Sequence, residues 1–216
     1  MRLDDLMSAR GVPTPPLQLV EEINHRVVNE YAEAISSLSL AAARASSPAV
    51  RAALSFAAGR LRAHAETHRA LLPPSADGLM CLTNYLERIC MSLSQASLAD
   101  AGASLALKAD DIWLDADVCW RVGLILAELV RNAARHGLRG QAGTISVRLR
   151  ALNGQAHCLV SDNGPQVAGA QPGRGQKLAR MLAEDLGGSV DWWFTPVGCV
   201  ARLLVPLPSA EEARAN

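Results

Sequence analysis

The chain lacks an excess of charge of either sign: Lys plus Arg and Asp plus Glu each total 21 among 216 residues. Without a global basic field, neither nucleic acid nor an anionic membrane is favoured as a partner, and any electrostatic recognition has to be local. Cysteines are few. Cys81, Cys90, Cys119, Cys158 and Cys199 are scattered, odd in number and free of C-x-x-C spacing, which argues against structural zinc and for reduced thiols in a cytoplasmic protein. Long apolar runs are also missing. The most apolar stretch, Val122 to Val130, is short and contains Glu128, and residues 1–16 carry Asp4 and Asp5 with no apolar signal core, so neither a membrane span nor a secretion signal is expected. No internal repeat is visible. What is there is a composition 50% hydrophobic, enough at this length to bury one sizeable core or two small ones.

Proline and serine punctuate the first third of the chain. Pro13, Pro15 and Pro16 close a leader over residues 1–16, and from Leu17 to about Arg44 apolar residues step by three and four. Advancing 100° per residue puts Ile23, Val27, Tyr31, Ala34, Leu38 and Ala41 on one stripe of this predicted helix. Ser46-Ser47-Pro48 reads as an N-cap with proline at the first helical position. It opens a second helix with the stripe Val50, Leu54, Ala57, Leu61, Ala65, His68 and Leu72, which Pro73-Pro74 ends. Two amphipathic helices so closely joined form an antiparallel hairpin over residues 17–74, with a seam too narrow to bury both helices alone. A homodimeric four-helix bundle is the simplest solution.

Beyond a linker at Ser75-Ala76-Asp77-Gly78 the pattern becomes mixed over residues 79–207, ahead of a polar tail at 208–216. Helices are expected from about Leu79 to Leu98, from Asp117 to His136 and from Lys177 to Leu186. Strands are expected at Ala103 to Lys108, Thr144 to Leu152 and Gln155 to Ser161, with Ser189 to Phe194 and Cys199 to Val205 as a closing hairpin. The predicted class is therefore α+β, a helical hairpin followed by an α/β sandwich of helices against one sheet.

Four groups of residues could carry chemistry. His25 and Asn29 lie one turn apart in His25-Arg26-Val27-Val28-Asn29, roughly opposite the seam of the first helix. Glu128 and Asn132, four apart, aim a carboxylate and an amide from one helical face, a pair suited to a hydrated Mg²⁺. Asp162, in Asp162-Asn163-Gly164-Pro165 at a strand end, could accept a hydrogen bond from an exocyclic amine, while Gly164 lets the backbone approach a ligand. Gly173-Arg174-Gly175, ahead of a helix, could turn backbone N–H groups toward phosphates. Taken singly, each has a plain structural reading: a surface pair, an Asn-Gly turn, a glycine loop. His64 and His157 have no motif around them, and His68 falls on a seam. His136 either caps a helix C-terminus or approaches a phosphate. Trp192-Trp193-Phe194 reads as hairpin packing.

Taken in order, Glu-x-x-x-Asn on a helix, strand-Asp-x-Gly and Gly-x-Gly-helix resemble the N, G1 and G2 boxes of the GHKL (Bergerat-type) fold. That fold is shared by histidine kinases, gyrase-type ATPases and related chaperones. The upstream hairpin selects among them, because His25-Arg26-Val27-Val28-Asn29 resembles the H-box of HRXXN histidine kinases, relatives of the HWE group. Glu128 to Gly137 and Gly173 to Gly188 extend the resemblance, which spans about Leu17 to Leu207. It implies that His25 receives the γ-phosphoryl group of ATP and that Asn132 ligates Mg²⁺. Glu128 would orient a metal-bound water or help remove the imidazole proton, and Asp162 would recognise adenine. Asn29 would orient the imidazole or a water. The phosphoryl group then passes to an aspartate of a response-regulator receiver domain.

The chain departs from the family pattern in two places. Pro165-Gln166 stands where a second G1 glycine is common, and only a few residues separate Gln166 from Gly173, a very short lid. With about fifteen residues ahead of the first helix, signals are expected to arrive through an upstream sensor partner. Two other functions compete: a histidine phosphotransferase relay with a degenerate nucleotide site, and a GHKL kinase acting on serine of an antagonist protein. Neither needs the whole set, since a relay has no use for Glu128, Asn132 and Asp162, and a serine kinase has none for an outward His25.

Overall fold

A computed structural model describes residues 17–74, 78–98, 102–165 and 174–208, without the side chains of residues 17–25, 97 and 174. The first periodic segment forms helix α1 (Leu17–Arg44), followed after three residues by α2 (Pro48–Ala70). Ser47 occupies the N-cap with extended backbone and Pro48 follows it, but the serine side chain makes no capping bond. Arg51 secures the connection instead, its Nη2 donating to the Ala45 carbonyl at 2.9 Å.

The two helices meet along Val28, Tyr31, Ile35, Leu38 and Ala42 of α1 and Leu54, Ala58, Leu61 and Ala65 of α2, all withdrawn from solvent. This alternation of threes and fours is the heptad spacing of coiled-coil seams. It corrects the stripe drawn at 100° per residue, because Ala34 and Ala41 are exposed and Ile35 and Ala42 hold their places. A seam that repeats every 3.5 residues drifts away from a 3.6-residue rule within two heptads. Val50, near the connection, is exposed as well. At the other end the Tyr31 ring meets His68 edge-on, centroids 6.2 Å apart, so His68 is a seam residue.

The remainder is a layer of helices on one face of a sheet. Strand β1 (Leu79–Cys81) leads into α3 (Leu82–Leu93) and a wide π-type turn, Ser94–Leu98. Strand β2 (Ala103–Ala109), the short β3 (Trp113–Asp115) and α4 (Ala116–Asn132) follow, and a second π-type turn, Ala133–Leu138, extends α4. Then come β4 (Gly143–Leu152), β5 (Gln155–Asp162), α5 (Arg174–Asp185), β6 (Ser189–Thr195) and β7 (Gly198–Pro206). One correction concerns the single helix expected from Leu79 to Leu98. Its first three residues pair antiparallel with β3, a strand not anticipated, in a separate two-stranded ribbon.

The main sheet has the order β2-β4-β5-β7-β6, with β2 and β4 parallel and the other pairs antiparallel. Alternation sets its two faces. Ile145, Val147 and Leu149 of β4, Ala156, Cys158 and Val160 of β5, and Ala201, Leu203 and Val205 of β7 are buried in one core with Leu86, Ile89, Ile125 and Leu126 of α3 and α4. Arg148 and Arg150 on the opposite face are exposed. The hairpin meets this unit through α2 and α3, and Trp120 Nε1 of α4 donates to the Leu71 carbonyl at 3.0 Å. Among the described residues, no helix is long and apolar enough to cross a membrane.

Candidate functional site

Helix α4 is held on the sheet by Cys119, Val122, Ile125, Leu126, Leu129 and Val130, all buried. That stripe leaves Glu128 and Asn132 half-buried, one turn apart on a neighbouring face. After Asn132 the helix widens through Ala133–Leu138 and stops where Arg139 and Gly140 turn to positive φ, 55° and 75°. Gly137 lies in that widened turn against the Asp162 carboxylate, and a β-carbon there would overlap it.

Asp162 reaches this position by strand parity. Ala156, Cys158 and Val160 point into the core, so Asp162, two residues on, points to the same side at the strand end. Its Oδ1 accepts a hydrogen bond from the Gly164 N–H at 3.0 Å. Burial raises its pKa above the ordinary 3.8, while hydrogen bonds from the Gly164 and Cys199 backbones pull the other way. The surrounding backbones touch with no side chain between them. A β-carbon on Gly164 would run into the Gly137 carbonyl, and one on Gly198, whose φ is 137°, into the Asp162 carbonyl. Asn163 ties the loop to β4, its Oδ1 accepting from the Thr144 N–H at 2.8 Å.

Helix α5 begins at Arg174, three residues before the predicted start, so Gly175 belongs to its first turn rather than to a loop ahead of it. Ala179 and Ala183 bury that helix deeply, and Gly175 is packed so closely on Glu128 that a β-carbon would overlap Oε1. The structure therefore joins Glu128 to Gly175, and Gly137 to Asp162 and Gly164, along one continuous line at the end of α4. Asn132 sits between these contacts, and its Nδ2 is buried with no hydrogen-bond partner. A buried, unpaired amide costs on the order of 1–3 kcal/mol, so it is well placed to take a ligand.

Asn29 is exposed on α1. His25 lies in α1, but its side chain is outside the described residues, as is Gly173 altogether. His136 is exposed. Arg180 lies over the Trp192 ring and Arg202 over Trp193, at 5.0 and 4.7 Å, in keeping with hairpin packing of the aromatic run. Sequence reasoning gave no role to Gly137 or Gly198, which form the walls around Asp162. The glycine directly after Arg135-His136 was the available signal for the first of them.

A nucleotide with Mg²⁺ fits this donor set. Among the described residues no three His, Cys, Asp or Glu side chains converge on a metal position. Mg²⁺ is commonly held by one or two protein oxygens together with substrate phosphates and water, which the Glu128 and Asn132 pair can supply. The glycine contacts leave backbone where side chains would otherwise fill the space.

A helical hairpin ahead of an α/β sandwich with this glycine-bounded corner defines the catalytic core of the histidine kinases. Residues 22–97 match the family profile described as histidine kinase, and residues 91–189 the profile described as histidine kinase-like ATPase domain. The chain belongs to the histidine kinase family, and within it to the HWE-type group. It is 23% identical over 197 residues to blue-light-activated histidine kinase 2 of Erythrobacter litoralis, covering 86% of this chain and 56% of that protein. The chain thus spans little more than half the length of this relative. Among solved structures, the histidine kinase domain of the Erythrobacter litoralis EL346 blue-light-activated kinase superposes with a TM-score of 0.57 at 18% identity, covering 83% of this chain and 96% of that one. A bacterial phosphotransferase superposes with a TM-score of 0.60 at 12% identity, covering 83% and 91%. At these identities the two structures speak for the fold alone.

Proposed function

We propose that this protein is an ATP-dependent protein-histidine kinase of a two-component system. In this reading it autophosphorylates on His25 and passes the phosphoryl group to an aspartate of a response-regulator receiver domain. The observation that carries it is the contact of Gly175 with Glu128 and of Gly137 with Asp162 and Gly164, with the buried Asn132 amide one turn after Glu128, beside a hairpin bearing His25 and Asn29. Asp162, ionised, accepts the adenine amine, and Gly164 and Gly175 let backbone approach the nucleotide. Asn132 offers its Oδ1 to Mg²⁺ and its unpartnered Nδ2 to a phosphate oxygen. Glu128 receives a proton or orients a water. Bound Mg²⁺ neutralises the charge of the phosphates, and the protein contributes mainly alignment. Neutral imidazole is a competent acceptor near pH 7, with an ordinary pKa of about 6.5.

The partners follow from the hairpin. Leu40 of α1 is 52% exposed, Val50 and Phe56 of α2 are 50% and 58% exposed, and Ala34 and Ala41 lie open on α1. This unpartnered apolar surface supports a second copy and a homodimeric four-helix bundle, with a boundary between the hairpin and the catalytic unit near residues 75–78. The proposal also includes a cytoplasmic location and an upstream sensor protein as the source of the signal.

A second reading, a histidine phosphotransferase relay, draws support from Pro165-Gln166 at the position of the second G1 glycine. Incubation with γ-labelled ATP and Mg²⁺ separates the two. Acid-labile label that disappears in His25→Ala and Asn132→Ala is the expected result. No label and no nucleotide binding, with phosphate still accepted from a phosphorylated regulator, would establish the relay.

A further inference from the structure

A cleft of about 720 Å³ opens between the hairpin and the catalytic unit. That volume falls within the range of roughly 300–1,000 Å³ typical of small-molecule sites. On one wall α2 presents His64 and His68, one turn apart; facing them, Arg131 at the end of α4 and Arg135 in the π-type turn are likewise four residues apart. No carboxylate lines the cleft. Among the described residues neither arginine is engaged in an ion pair, so both guanidinium groups are free to face an incoming anion.

The rest of the lining is mostly apolar, with the Tyr31 phenol as a further polar group beside the histidines. Leu71, Leu72 and Leu93 contribute side chains. Trp120 contributes a ring whose only donor is already committed to the Leu71 carbonyl at 3.0 Å. Thr67 is in a similar position, its hydroxyl donating to the Ala63 carbonyl at 3.0 Å. The polar capacity of the cleft is therefore concentrated in two guanidinium groups, two imidazoles and the Tyr31 phenol, beside apolar side chains. Trp120, Leu124 and Arg131 run along one stripe of α4, and none of Glu128, Asn132 and Asp162 lines the cleft, although Arg131 and Arg135 flank Asn132 in the chain.

We propose that this cleft is a second binding site, for a small organic anion with a flat apolar body. The body would lie on Trp120 and the leucines. The headgroup, a carboxylate or a phosphate monoester, would be held by Arg131 and Arg135, with imidazole N–H groups from His64 and His68 on the other side. Such a ligand touches α2 and α4 at once and so bridges the two parts of the molecule. The site does not depend on whether the protein hydrolyses or even binds ATP.

The test is calorimetric titration of the whole protein with 1-naphthoate and with 1-naphthyl phosphate, with inorganic phosphate and neutral 1-naphthalenemethanol as controls. At least one of the two acids is expected to bind with a Kd below about 1 mM, and the tighter one identifies the headgroup. The exposed pair Arg131→Gln and Arg135→Gln, checked for folding by circular dichroism, is expected to weaken that binding about tenfold or more. Asp162→Asn is expected to leave it unchanged. Failure of both acids to bind, equal binding of the neutral alcohol or of inorganic phosphate, or binding that survives the double arginine variant would overturn the proposal. Loss of binding in Asp162→Asn would place the ligand in the nucleotide site and overturn it too.

Discussion

The hairpin and the sandwich bury side chains of different kinds. Along the described hairpin only Ala42, Ala58, Ala65 and Thr67 are fully buried, whereas every large side chain below 2% exposure, from Leu82 to Leu203, belongs to the sandwich. Alanine removes little apolar area from water, and at about 25 cal/mol per Å² a seam of alanines stabilises far less than a core of leucine and isoleucine. The sandwich therefore draws on a larger core than the seam of the hairpin provides.

The most drastic way to break this comparison is to cut the chain. Residues 79–208 alone are expected to melt cooperatively, and residues 17–74 at dilute concentration are not, as read by circular dichroism. A sharp monomeric transition in the hairpin would defeat the distinction. Within the intact chain, Ile125→Ala, at a position with no exposure, is expected to cost about 2–5 kcal/mol in denaturant titrations. Leu54→Ala, at a half-buried seam position, falls below that range.

Gly164→Ala sharpens the picture at the site. Its β-carbon would meet the Gly137 carbonyl, which cannot swing aside as a side chain can. A loss on the order of 1–3 kcal/mol is expected, together with weakened nucleotide binding in a fluorescent-analogue assay. Trp120→Phe, which removes one hydrogen bond between the two regions, should cost about 0.5–1.5 kcal/mol and increase amide exchange near Leu71 more than in the β5–β7 core.

Asp162→Asn has the smallest effect on stability, and its sign depends on pH. Because the folded protein raises the pKa of this carboxyl above 3.8, its favourable contribution is present below that value and is lost as pH rises through the folded pKa. The asparagine variant should therefore gain in melting temperature relative to the parent as pH rises toward neutrality. A gap that widens toward acid would contradict this.

Much of this was legible in the sequence because it rests on strong local signals. The long periodicities of α1 and α2 and the alternation in β4 and β5 give elements whose type is hard to mistake. What escaped notice lies below the length at which periodicity can be recognised. Strands β1 and β3 have three residues each and exist because they pair with one another, a contact between Leu79 and Asp115 that no local pattern announces. The choice of Ile35 and Ala42 over Ala34 and Ala41 depends on supercoiling against α2. At the site, Glu128, Asn132, Asp162 and Gly164 stood out by residue type and spacing. Gly137 and Gly198 did not, because their role lies in fitting against Asp162 across separate segments.

Helix α4 carries Trp120 near one end and Asn132 at the other, twelve residues or about 18 Å along the axis. It is anchored at the first point to the connector after α2 and at the second, through Gly137, to the Asp162 corner. It therefore fixes the distance between the hairpin contact and the Asp162 corner: with Cys119, Val122, Ile125, Leu126, Leu129 and Val130 packed in the core between the two ends, neither anchor shifts without the layer beneath it.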